Sequence, residues 1–287
     1  MGESGGDFRC LCCGNAAATP VYLRCRDLYL GTPFLTDYYR CTACGLVQQF
    51  PVPAEVAPFY AGYPVHRPKS KLFETVRGVL MSRVYHRPAA GTRLLLDYGC
   101  GDGGYLEQVR RPGRQVIGYE PDAALADAVA ARVGVPVYSD AGELLARYRS
   151  SVDVVTMHSV LEHVTDLHGT FDLAAGLLRT GGTLYLVVPQ LSSTEGHLFG
   201  RRWHGLDPPR HVSFPEPLVV QRLAGAHGFR VLRHGAVPFP TALAGSVSNV
   251  LVGRFSFPIV AAALPFTLPL TLIDPGAVRA FTLAREP

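Results

Sequence analysis

The stretch Leu94-Leu95-Leu96-Asp97-Tyr98-Gly99-Cys100-Gly101-Asp102-Gly103-Gly104 constrains this chain more than any other. Its apolar run, without polar alternation, reads as a strand buried on both faces, as in a parallel sheet. The glycines after it let the backbone turn tightly and approach a ligand closely. Residues 105–109 can open a helix whose first amides face the same ligand. A second apolar strand, Gln115-Val116-Ile117-Gly118-Tyr119, ends in Glu120. A carboxylate at that tip can accept hydrogen bonds from a ribose diol, so the two motifs together describe a nucleoside site. Asp97 stands where a dinucleotide site more often begins with glycine, because a pyrophosphate should not face a carboxylate.

The pattern then keeps alternating. A helix is expected over 122–132 behind Pro121, and a short third strand over 135–138, ending at Ser139-Asp140. A fourth strand over 152–157 leads into His158-Ser159-Val160-Leu161-Glu162-His163-Val164. A helix over 171–178, closed by Thr180-Gly181-Gly182, precedes a fifth strand over 183–188. Such alternation implies right-handed crossovers and an α/β fold with a doubly wound parallel sheet. Ligands of these sheets sit at the carboxyl ends of the strands, where Asp97, Glu120, Asp140 and His158 all lie. Asp140 has two readings: an acceptor for an adenine amino group, or a helix N-cap.

Six of the seven cysteines precede residue 45, and four of them form two knuckles, Cys10-Leu11-Cys12-Cys13-Gly14 and Cys41-Thr42-Ala43-Cys44-Gly45. In a cytosolic chain two Cys-x-x-Cys pairs read as a tetrahedral zinc site in preference to disulfides. Cys10, Cys13, Cys41 and Cys44 are the expected ligands, with Cys12 able to compete and Cys25 spare. Four protein ligands make the zinc structural, since a catalytic zinc keeps an open position. Residues 21–23 and 36–40 suit short strands between the knuckles. A ribbon of this size buries little core, so metal would supply much of its folding energy.

Phe50-Pro51-Val52-Pro53, then Pro58, Pro64 and Pro68, read as a linker whose Tyr60 and Tyr63 have two readings, packing or reaching the cofactor mouth. A helix is expected over 70–85, with Leu72, Phe73, Val76, Val79 and Leu80 on one face. The segment 257–273 is almost wholly apolar but contains Pro258, Pro265 and Pro269. The prolines make it a poor membrane span. A pair of short helices walling an apolar substrate pocket is expected, with a peripheral membrane contact or an isoprenoid-like acceptor as the alternative. The net charge of +4 comes from scattered arginines and does not demand nucleic acid. The N-terminal residues show no secretory pattern, so a cytoplasmic enzyme is expected.

These motifs resemble one group: the class I S-adenosylmethionine-dependent methyltransferases with an N-terminal zinc ribbon, of bacterial small-molecule and sugar biosynthesis. The knuckles, the Asp97 glycine turn, Val160-Leu161-Glu162-His163-Val164, Gly181-Gly182 and Asp207-Pro208-Pro209-Arg210-His211-Val212-Ser213-Phe214 carry the resemblance. It implies a Rossmann-like seven-stranded sheet ending in an antiparallel hairpin of 229–232 and 277–284. It implies that the turn Gly99, Cys100, Gly101 and Gly103 lines the methionine end of S-adenosylmethionine, with Glu120 on the ribose. Asp97, Asp140 and His158 complete the cofactor-binding set. The organisation expected is a ribbon over 1–50, a linker and helix over 51–90, and a methyltransferase domain over 91–287. That domain would include a substrate lid at 191–215 and an apolar cap at 238–273.

Methyl transfer is an in-line displacement, so alignment supplies much of the rate, and a protonated acceptor also needs a base. Histidine suits that role near neutrality. His211 is the expected base, with His204 and His163 behind it; the competing reading is that Arg210 and His211 anchor the loop. The expected acceptor is a small molecule, apolar or sugar-linked. Two rival readings are an rRNA or tRNA methyltransferase whose ribbon grips RNA, and a non-catalytic scaffold. The ribbon's few arginines and absent lysines argue against the first, and the intact cofactor motif argues against the second.

Overall fold

The computed structural model describes residues 7–60, 62 and 78–287. Tyr63 and most of the helix expected over 70–85 lie outside the described residues. The part that is described runs from residue 78 into a 3-10 turn at Met81–Arg83 and is extended by 86–88.

A seven-stranded sheet forms the centre. Its strands are β4 (Leu94–Tyr98), β5 (Gln115–Tyr119), β6 (Val137–Tyr138), β7 (Val152–His158), β8 (Leu178–Pro189), β10 (Phe229–Ala236) and β11 (Val278–Arg285). Their order is β10-β11-β8-β7-β4-β5-β6, with β11 antiparallel to both neighbours and the rest parallel. This is the expected class I architecture, hairpin included. The chain leaves β4 on one side through β5 and β6 and returns on the other as β7, which opens a crevice between β4 and β7.

Helices α1 (Gly104–Val109), α2 (Ala123–Val133), α3 (Ala141–Tyr148) and α4 (Leu167–Leu177) connect these strands. Asp122, Asp140 and Asp166 cap the last three by accepting from Leu125, Glu143 and Gly169 amides. The Asp166 cap starts α4 four residues before the expected 171. The Gly181-Gly182 turn does not close that helix from outside the strand, because β8 already begins at Leu178.

The cysteine-rich segment folds as three antiparallel strands, β1 (Ala18–Arg26), β2 (Leu35–Cys41) and β3 (Val47–Phe50), so the strand β3 reaches the Phe50 where a linker was expected. A fourth strand, β9 (Ser213–Phe214), comes from the lid and pairs with β3, Val47 opposite Phe214. Sequence patterning missed it because two residues carry no periodicity. Two fully buried glutamines beside each other in β3 serve the two sides of this joint. Gln48 accepts from Leu11 N and donates to the Arg9 carbonyl, holding the first knuckle. Gln49 donates to the carbonyls of Pro209 and His211, both at 2.8 Å, holding the lid.

Arg210 fastens the same joint. Its side chain is fully buried and lies 2.8 Å from Asp27 in the ribbon and 2.7 Å from Asp207 in the lid. Burial pushes the Asp27 and Asp207 carboxyls up, but the Arg210 hydrogen bonds outweigh it and hold both below the usual range. Asp27 also accepts from the amides of Tyr29 and Leu30, so its charge is well partnered. Arg210 therefore anchors the lid to the ribbon.

The apolar cap departs from expectation. Following α5 (Thr194–Phe199) and α6 (Pro217–Ala226), it comprises α7 (Ala242–Val252) and one continuous helix, α8 (Phe257–Ile273), with Pro265 and Pro269 inside it. Both prolines fall on the exposed stripe, where the missing N–H can be replaced by solvent. On the buried side Thr267 and Thr271 hydroxyls donate to the carbonyls of Ala263 and Thr267. Much of the apolar surface of α8 faces outward.

Removing the Arg210 side chain would leave two buried carboxylates facing each other. Arg210→Ala should lower the unfolding free energy by about 3–5 kcal/mol, read from the urea midpoint at constant slope.

Candidate functional site

The cofactor motif sits at the β4/β7 crevice. Asp97, buried at the end of β4, accepts from Thr156 Oγ1 at 2.8 Å and lies 3.4 Å from Nδ1 of His158. His158 Nε2 accepts from the His86 amide. The rings of Tyr85, Tyr105 and Tyr185 surround His158, with centroids at 5.1, 4.4 and 5.7 Å. Tyr105 and Tyr185 hydroxyls donate to the carbonyls of His86 and Val84, strapping this segment across the sheet. Sequence reading missed this cage; its members are scattered over distant segments and share no spacing.

The glycine turn has the conformation that only glycine adopts freely, with φ of +72°, +51° and +74° at Gly99, Gly101 and Gly103. The three glycines do different work. A Cβ at Gly99 would lie 2.6 Å from Val160, and one at Gly103 2.6 Å from Val129. One at Gly101 would meet nothing within 4 Å, so this residue borders open space. Glu120 reaches into the turn, accepting from Gly101 N at 3.0 Å and Asp122 N at 3.3 Å. Burial raises its pKa, opposed by those amides. Cys100 is different: its thiol is buried near Gly118 and Leu106, and burial pushes its pKa up. Asp140 is exposed and holds the α3 cap through Glu143 N at 2.7 Å.

A second cluster forms where the strand β7 loop meets the lid. Glu162, His163 and His211 bring one ligand atom each within 4.8 Å of one another. His211 Nδ1 lies 2.8 Å from the Gly205 carbonyl, and His163 Nδ1 lies 2.9 Å from that of Arg210. A carbonyl only accepts, so both rings carry their proton on Nδ1 and keep the lone pair on Nε2. Tyr60, expected either to pack or to reach the cofactor mouth, places its hydroxyl 2.7 Å from His163 Nδ1. Burial lowers both imidazole pKa values, His163 to about 3. Burial also pushes the Glu162 carboxyl up to about 8, and neither of its oxygens has a hydrogen-bond partner of normal geometry. Such a set can pass a proton or ligate a cation. His204 is not part of it, since its ring is stacked against Tyr29 and Phe255 at 5.9 and 5.1 Å. Glu162 stood in a quoted motif but was passed over; a carboxylate inside Val-Leu-Glu-His-Val is the signal that marks it.

The clusters are physically continuous. Val160 packs on Gly99, and two residues later the Glu162 carbonyl accepts from Val212 N at 2.6 Å. The lid thereby registers against the glycine turn.

The four knuckle sulfurs of Cys10, Cys13, Cys41 and Cys44 also lie within 4.8 Å of one another, with Cys10–Cys44 at 3.4 Å and Cys13–Cys41 at 3.6 Å. A zinc–sulfur tetrahedron separates its sulfurs by roughly 3.8 Å, so the set fits one ion. Cys41 has its thiol pKa lowered to about 6; burial raises it, but the Cys44 and Ala43 amides prevail. Cys25 lies in a separate part of the core, whereas the buried Cys12 thiol, outside the four-sulfur set, hydrogen-bonds Cys44.

A family model described as a methyltransferase domain matches residues 75–234. The chain belongs to that methyltransferase family. Over 107 residues it is 36% identical to the ubiquinone biosynthesis O-methyltransferase of Rhizobium rhizogenes and 37% identical to that of Sinorhizobium medicae. The matched stretch covers 36% of this chain and 43% of each of those proteins, less than half the length of the curated relatives. A S-adenosylmethionine-dependent methyltransferase from Archaeoglobus fulgidus shares the fold, with TM-score 0.52 and 18% identity over 79% of this chain and 99% of that one. Geranyl diphosphate C-methyltransferase from Streptomyces coelicolor does so with TM-score 0.51 and 16% identity, covering 78% and 89%.

The raised Glu162 pKa makes methyltransferase stability pH-dependent. A carboxyl raised on folding contributes stability that is complete below its unfolded pKa and lost as pH rises through about 8. Glu162→Gln should therefore melt with the wild type near pH 5 and above it at about pH 9, followed by thermal unfolding in matched buffers.

Proposed function

We propose that this chain transfers a methyl group from S-adenosylmethionine to a hydroxyl of a small-molecule acceptor in a biosynthetic pathway. The observation that carries the reading is the join between the Asp97–Glu120 nucleoside site and the Glu162–His163–His211 cluster through Val160. The residues present fit the donor: Gly101 borders open space, and Glu120 is a buried carboxylate at the second strand tip. When bound, S-adenosylmethionine supplies an electrophilic methyl on a sulfonium. Glu120 would hold the ribose, Asp97 and the glycine turn would hold the methionine end, and Asp140 would reach the adenine with its second oxygen. Small-molecule O-methylation is supported by the names of the rhizobial relatives, and the acceptor expected here is apolar or sugar-linked.

His211 is the base in this reading. Its Nε2 is the free, unprotonated nitrogen, and the Gly205 carbonyl fixes that tautomer and the ring's aim. Its lowered pKa keeps it neutral across the physiological range, so it is always able to accept. His163 and Glu162 flank it and would receive or stabilise the proton. His204, stacked between two rings, would position the lid. Four thiolates in the ribbon would hold a structural zinc, with no open position for chemistry.

Gly101→Val should abolish S-adenosylmethionine binding in calorimetry, and Glu120→Ala should weaken it by roughly 1–3 kcal/mol. His211→Ala should keep donor affinity and lower turnover of a catechol or phenol acceptor by about a hundredfold or more. Full turnover in that variant across neutral pH would remove the base assignment while leaving the donor site standing. Freshly purified protein should carry about one zinc per chain, and Cys41→Ser should lose it, as measured by elemental analysis.

A further inference from the structure

The helical hairpin of α7 and α8 is built with its polarity reversed. Ser246, Ser248, Asn249, Thr267 and Thr271 face inward and are buried. Each makes a hydrogen bond to backbone: Ser248 to Arg254 O, Asn249 to Arg202 O, and the other three within their helices. The outside carries the apolar side chains. On α8 the exposed positions Pro258, Ala262, Pro265, Phe266, Leu270 and Ile273 follow helical spacing along one stripe. Phe266 is 76% exposed and Ile273 79%, values normal for surface lysines and abnormal for these residue types. The stripe is uncharged throughout.

Beside the tip of the hairpin the charge changes. Gly253, which ends α7, lines a groove of about 470 Å³ together with Arg24, Arg26, Arg201 and Arg202. Arg202 is tied to the hairpin by its bond to the Val250 carbonyl, and Arg201 to the ribbon by its bond to Leu23 O. All four arginines are exposed, and no carboxylate lines the groove. Val250, Leu251 and Val252 stand exposed at the same end, next to Arg254 and Phe257.

We propose that this face docks on an anionic lipid bilayer. The outward stripe of α8 and the tip residues of α7 enter the headgroup–acyl boundary, and the arginine groove receives lipid phosphates. Charge complementarity selects the occupant. An apolar helix face alone would fit a protein groove equally well. An arginine-lined groove at the tip of an uncharged apolar hairpin matches a surface that carries phosphates above its hydrocarbon. Length also decides the mode. No helix among the described residues is long and apolar enough to cross a membrane, so the hairpin lies along the surface. The inference does not depend on the methyl-transfer reading, because its test reads binding and not turnover.

The test is flotation of the full chain with phosphatidylcholine vesicles, with and without phosphatidylglycerol. Binding is expected only with phosphatidylglycerol, weakening as salt is raised. Phe266→Ser with Ile273→Ser should lower vesicle affinity tenfold or more at an unchanged melting temperature, since both side chains lie outside the core. Arg24→Ala with Arg26→Ala should lower it by roughly twentyfold, about fivefold for each arginine removed. Failure to float with phosphatidylglycerol, or equal flotation of the wild type and the Phe266/Ile273 variant, overturns the proposal. So does a dimer in sedimentation equilibrium that this variant dissolves, which would make the stripe a self-association face. Tight binding of bulk tRNA to the arginine groove with no vesicle binding would assign the groove to nucleic acid instead.

Discussion

The buried guanidinium of Arg210 is the contact on which the relative placement of the parts depends. It joins Asp27 of the ribbon to Asp207 of the lid in a space without solvent. Such a triad adds little to stability against a well-packed apolar replacement, but it tolerates no partial removal. Its geometry admits one arrangement of ribbon and lid, because each carboxylate must meet its own N–H groups. The adjacent residue, His211, is set by the same constraint, and so is the β9 strand that completes the ribbon sheet. In the proposed reading the ribbon forms part of the wall of the acceptor side, and a metal held by its four cysteines would act on catalysis through position alone.

From that joint, a short chain of contacts reaches the donor turn. Gln49 holds the His211 carbonyl, Val212 holds Glu162, and Val160 closes against Gly99. Every link is a backbone hydrogen bond or a close packing contact, and these have little compliance. Alignment of donor and acceptor is the largest demand of an in-line displacement, and rigid links of this kind meet it. The unpaired Glu162 is the exception. A buried carboxyl so weakly partnered is unfavourable, and it persists beside two neutral imidazoles where a proton or cation would relieve it.

The hairpin shows the same chemistry pointed the other way. Serine and threonine hydroxyls, satisfied by helix carbonyls, behave as small packing residues and let α7 and α8 approach closely. Their use on the inside leaves the bulky apolar side chains for the outside. A helix with a strong apolar content and no charged face would ordinarily be buried on all sides. Here α7 covers only one side of it.

The sequence by itself determined the sheet and the glycine turn at its crevice. Buried parallel strands are continuous apolar runs, and a glycine turn followed by a carboxylate at the next strand tip is local in the chain; both can be read without knowing what lies nearby. The Cys-x-x-Cys knuckles are local too, and their four sulfurs converge as spacing required. Capping by Asp140 was legible as one of two readings. What only the tertiary structure decided lies between distant segments: the Arg210–Asp27 pair, the β3–β9 pairing, the ring cage around His158, and the grouping of Glu162 with His163 and His211. No periodicity encodes these, since each depends on which side chains a shared, water-free space brings together. The apolar run 257–273 was misjudged for a related reason. Proline content forecasts a broken helix only when the freed carbonyls lack partners, and whether the prolines face solvent is settled by how the helix is laid against its neighbour.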